Sequence, residues 1–64
     1  MSEIRIGTIV EILQPDYAAG KVGRIVAPEV LQNGQASDRW IIKVVGEDLI
    51  LSLLPEDFRS VHTS

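Results

Sequence analysis

At 64 residues, with no cysteine, one histidine and a formal net charge of −3, the chain has room for one small domain and excludes disulfide staples, thiolate metal sites and cysteine nucleophiles. A domain of this size buries only about 60% of the surface its unfolded chain exposes, so stability has to come from packing, helped by a partner or by self-association. Nine acidic against six basic residues oppose non-specific phosphate binding, and no apolar run approaches the ~20 residues that span a bilayer.

The opening Met-Ser-Glu-Ile-Arg has no basic segment followed by an apolar core, so the expected location is cytoplasmic, which includes a place at the periphery of a membrane complex. Residues 1–7 read as an extended lead-in broken at Gly7. From Thr8 to Leu13 the β-branched run predicts a first strand with Val10 and Ile12 inward and Ile9, Glu11 and Leu13 on the other face. Pro15 has no N–H to donate and ends that ladder, leaving 14–20 as a loop. The second strand, Lys21 to Ala27, is expected to place Val22, Arg24 and Val26 on one face and Ile25 on the other, with Val22 and Val26 in the core. Gly23 inside it signals a bulge or a close approach by another backbone.

Pro28 is expected to stop the second strand. The segment from there to Asp38 reads as a long loop with a turn at Asn33-Gly34 and with Val30 and Leu31 as its sizeable apolar residues. Arg39 to Val45 is the strongest strand pattern, with Trp40, Ile42 and Val44 on one face and Ile41, Lys43 and Val45 on the other. A short turn at Gly46-Glu47-Asp48 predicts that Leu49 to Leu53 pairs back antiparallel. Pro55, Glu56 and Asp57 suit a single 3₁₀ turn before a last strand, Phe58 to Val61, with His62-Thr63-Ser64 as a frayed tail.

These elements predict one all-β domain over residues 1–64, a five-stranded small barrel with a 3₁₀ turn before the last strand, whose closure would remove exposed edges. The expected core is Val10, Ile12, Val22, Val26, Trp40, Ile42, Val44, Ile50, Leu54, Phe58 and Val61. The order of strand, Pro-containing loop, Val-Gly-x-Val strand, long loop, apolar hairpin and short turn resembles the SH3-like small barrels. Val10 to Pro15, then Tyr17, then Val22 to Val26, and the closing Leu54 to Val61, resemble the photosystem I E-subunit family and its relatives among small thylakoid and stromal proteins. That resemblance implies a non-catalytic accessory protein that helps ferredoxin dock or stabilises a larger complex of photosynthetic electron transfer. Docking an acidic protein would require Arg5, Lys21, Arg24, Arg39, Lys43 and Arg59 to gather on one side. Gly20 to Val26, following Gly7 to Val10, is also similar to the KOW motif, which implies an RNA- or ribosome-associated module as the alternative.

No residue set points to catalysis. Glu56-Asp57, Glu47-Asp48 and Asp16 are adjacent acids of the kind that sit solvated in turns or aligned with a helix dipole, so no metal or cofactor is predicted. His62 has no acidic or nucleophilic neighbour placed beside it, and Ser37, Ser52 and Ser60 lack a nucleophile-elbow context. Trp40, alternating with Ile42 and Val44, reads as core rather than as a stacking platform. Two features point to a protein partner or a second copy of the chain. Asp16, Tyr17, Lys21, Arg24, Val30 and Leu31 lie in or beside the two long loops. Ile41, Val45, Leu49 and Leu51 fall opposite the expected core and would make an apolar hairpin patch.

Overall fold

The computed structural model describes residues 4–61; the tail at 62–64, with His62, lies outside them. The β-branched run Ile9–Ile12 forms β1, with Val10 and Ile12 fully buried. Val22–Val30 and Ala36–Val44 form β2 and β3, followed by β4 at Ile50–Leu53 and β5 at Phe58–Ser60. All neighbours are antiparallel, and the five strands make one sheet in the order β4-β3-β2-β1-β5. The expected 3₁₀ turn is present at Pro55–Asp57, directly before β5. A second 3₁₀ turn, Asp16–Ala18, lies inside what reads in sequence as a plain loop and delivers Ala18 to the core.

The expected long loop at 28–38 is instead the end of a long hairpin. β2 continues through Pro28 to Val30, and only a tight turn around Gly34, at a φ of 85°, separates it from β3. Proline is tolerated because β1 pairs with β2 only as far as Arg24 in register, so Pro28 has β3 alone as a neighbour and its missing N–H falls on an open edge. The ladder between β2 and β3 shifts twice. One residue, Val26, is added on β2 between the Ile25–Ile42 and Ala27–Ile41 pairs, and a second irregularity falls between Pro28 and Val30. The bulge is therefore at Val26, three residues beyond Gly23.

The close approach that Gly23 signals is also present. A Cβ at this position would lie 2.5 Å from Ile42 Cγ2 and 3.1 Å from the Lys43 carbonyl oxygen. Gly23 faces inward with Ile25, and this reverses the predicted facing of β2. Ile25 is 1% exposed, while Val22 and Val26, expected in the core, are at the surface with Arg24. The physical reason is that side chains alternate with a period of two, so the face that carried the valines would also have buried the Arg24 guanidinium.

The same inversion occurs in β4. Pairing Ile42 with Leu51 and Trp40 with Leu53 places both leucines in the core and leaves Ile50, expected inside, 61% exposed. Leu51 therefore does not belong to an outward hairpin patch, and Leu49 packs against the core from the turn. Val61 is exposed, Leu54 is half-buried, and Trp40 is half-buried against the core cluster. Val10, Ile12, Ile42, Val44 and Phe58 are buried as expected. Ile25, Leu51 and Leu53 take the places assigned to Val22, Val26 and Ile50.

Candidate functional site

The outer face of the sheet carries the polar side chains that the core excludes. On it, β2 and β3 pair Arg24 directly opposite Lys43, and β4 adds Ile50 opposite Lys43 while β1 adds Ile9 opposite Arg24. Two cations thus stand side by side across neighbouring strands, an arrangement that destabilises a sheet when nothing neutralises it.

Nothing within the described part of the chain does so. The Lys21 ammonium pairs at 2.6 Å with Glu47, which follows Gly46 in the β3–β4 turn. Arg59 holds Glu11 through two nitrogens, at 2.6 and 2.8 Å, along the β1–β5 pair. These contacts engage two of the chain's carboxylates with cations other than Arg24 and Lys43. Arg39 donates to the Ser52 carbonyl at 3.2 Å. Among the described residues, Arg24 and Lys43 are left with no ion-pair or hydrogen-bond partner for their side chains.

Around them runs a shallow groove of about 310 Å³, lined by Arg24, Val26, Lys43, Val44, Val45 and Gly46. Its position follows from two backbone features. Alternation along β2 puts Val26 on the same outer face as Arg24, and the positive φ of Gly46, 83°, turns the chain sharply after Val45. Val26 is 39% and Val45 58% exposed, so the groove offers apolar walls beside two cationic groups.

The sequence-predicted residues do not form one surface. Asp16 and Tyr17 are exposed on the first 3₁₀ turn, which leads into β2, whereas Val30 and Leu31 are exposed at the far end of the same strand. The nine residues of β2 separate them by ~26 Å at a strand's rise of ~3.3 Å per residue. Lys21 is tied into its ion pair. Ile41 is half-buried, Leu49 supports the core and Leu51 is within it. Arg24 and Val45, singled out on separate grounds, are brought together, and the structure adds Lys43, Val26 and Gly46 to them.

A second polar cluster has no counterpart among the residues the sequence pattern singles out. Half-buried Glu29 accepts hydrogen bonds from the hydroxyls of Ser37 and Ser52, each at 2.9 Å, and so links β2, β3 and β4. Its carboxylate is satisfied by those donors, which makes it a latch rather than an acid poised for chemistry. Among the described residues, no three His, Asp or Glu side chains are grouped as a metal site requires, and no helix is long and apolar enough to cross a membrane. No protein-family model, curated protein or solved structure matches this chain.

Proposed function

We propose that the chain is a non-catalytic, protein-binding accessory subunit of a larger complex, built on an SH3-like small barrel. The observation that carries this reading is the uncompensated Arg24–Lys43 pair, set among exposed Val22, Val26, Val45 and Ile50 on the outer face. A like-charge pair left open in a small and acidic chain lowers stability, and a partner bearing the opposite charge relieves it. Support for the barrel comes from the strand order, in which β1 lies between β2 and β5 and a 3₁₀ turn joins β4 to β5. The sequence resemblance to the photosystem I E-subunit family adds photosynthetic electron transfer as the setting, on the cytoplasmic or stromal side of a membrane complex.

Size-exclusion chromatography of a tagged chain in extracts of the cells that produce it tests the role. Elution with an assembly far larger than 7.0 kDa, unchanged by ribonuclease, is the expected result. Elution as the free chain refutes it, and ribonuclease-sensitive elution replaces it with the KOW-type, RNA-associated alternative.

A further inference from the structure

We infer that the groove between β2 and β3 receives an acidic, apolar segment of the partner protein. Arg24 and Lys43 would take one carboxylate between them while Val26 and Val45 hold the neighbouring apolar side chain. The inference rests on the accessory-protein reading for the partner's existence and specifies the partner's chemistry.

Charge complementarity selects the occupant. The two cations stand opposite each other across one strand pair and line the same groove, so one anion seated there is within reach of both. Glu47 and Glu11 are engaged by Lys21 and Arg59. An anion supplied from outside is what completes the site. Arg24 brings a planar fork suited to a carboxylate and Lys43 a mobile point charge, so the pair can hold one carboxylate from two directions.

The groove's openness decides between a free small acid and a side chain. Arg24, Val26, Lys43, Val45 and Gly46 are all exposed, so the groove does not enclose a ligand on enough sides to retain a small molecule. A carboxylate presented by a larger surface needs no such enclosure. Nucleic acid fits less well. It asks for a track of several cations and for stacking aromatics, whereas this face has two free cations, with Trp40 half-buried against the core and Tyr17 on the turn before β2.

The test is a two-dimensional amide NMR titration of the full chain with a synthetic Glu-Leu-Glu-Leu-Glu peptide, its Gln-for-Glu counterpart, sodium acetate and an oligothymidylate. The acidic peptide is expected to shift the amides of Arg24, Val26, Lys43, Val45 and Gly46, and the Gln peptide to leave them in place. Acetate should shift the same amides far more weakly. Lys43→Glu should abolish peptide binding and Lys43→Gln should weaken it about tenfold, as loss of one charged hydrogen bond does. Retained spectral dispersion shows that both variants fold. Equal binding of the Gln peptide, shifts centred on Lys21 or Arg59, unchanged binding by Lys43→Glu, acetate binding as tight as the peptide, or tighter binding of the oligothymidylate would each overturn the inference. The two proposals fail separately. A chain that elutes free from extracts yet binds the peptide here refutes the accessory role alone. A Lys43→Glu chain that still elutes with the assembly refutes the groove alone.

Discussion

Replacing Gly23 by Ala isolates the contact that holds β2 against β3. The new methyl would meet Ile42 Cγ2 at 2.5 Å and the Lys43 carbonyl at 3.1 Å, with Ile12 Cδ1 at 3.6 Å. Ile42 and Ile12 are both fully buried, and the Lys43 carbonyl belongs to a paired strand, so none can withdraw freely. Overpacking of this kind costs about 1–3 kcal/mol. The alanine also restricts the unfolded chain, which offsets about 0.4–1 kcal/mol of that loss. The net expectation is destabilisation by about 1–2 kcal/mol, a fall in Tm of roughly 5–15 °C for a domain this small. Urea and thermal unfolding followed by circular dichroism measure it. Ile42→Leu removes the offending β-branch, so Gly23→Ala should cost about 1 kcal/mol less in that background. A neutral or stabilising Gly23→Ala, or strictly additive effects in the double variant, would refute the close approach.

Four further outcomes are expected. Lys43→Glu should raise stability by about 0.2–1 kcal/mol, seen as a higher Tm, because it turns a like-charge cross-strand pair into an opposite-charge one. Leu51→Ala should cost about 2–5 kcal/mol while Ile50→Ala stays within about 0.5, and equal losses in denaturant titrations would show the β4 facing to be wrong. Glu29→Ala should destabilise by about 1–2 kcal/mol by leaving the Ser37 and Ser52 hydroxyls without their acceptor, with faster amide exchange along β3 and β4. Gly34→Ala should cost about 1–2 kcal/mol because its φ of 85° is strained for an L-residue, even though open space surrounds the added methyl.

Strand existence and order of elements are readable in the sequence because they rest on local signals. β-branched runs mark β1 and β3, the Gly46 turn marks the β3–β4 hairpin, and Pro55 with two acids marks the 3₁₀ turn. Facing is readable only where one parity is plainly apolar. In β3, Ile42 and Val44 alternate with Lys43, and the core follows. In β2 the two parities compete, three positions with two valines and an arginine against a glycine and an isoleucine. Counting apolar residues favours the valines, whereas the cost of burying a guanidinium favours Gly23 and Ile25, and the second effect wins. In β4, the sequence Ile-Leu-Ser-Leu carries one local sign of facing, Ser52, which shares its parity with Ile50 and marks the outer side, and the register with β3 agrees with it. Pro28 misleads for a similar reason: whether proline ends a strand depends on whether a neighbour needs its N–H, and that is a property of the sheet.

The candidate site illustrates the same limit. Arg24 is legible as a loop-flanking cation and Val45 as a surplus apolar residue, but nothing local connects them. Their meeting depends on the pairing of Arg24 with Lys43 and on Gly46 turning the chain beside Val45. The acidic composition argues against a cationic docking face only because it sums charges over the whole chain. Within that sum the structure pairs Lys21 with Glu47 and Arg59 with Glu11, and among the described residues it leaves Arg24 and Lys43 without a carboxylate. A net charge of −3 is therefore compatible with a local positive site of two charges. The field that an approaching carboxylate feels within a Debye length of ~10 Å is set by those two side chains more than by the total.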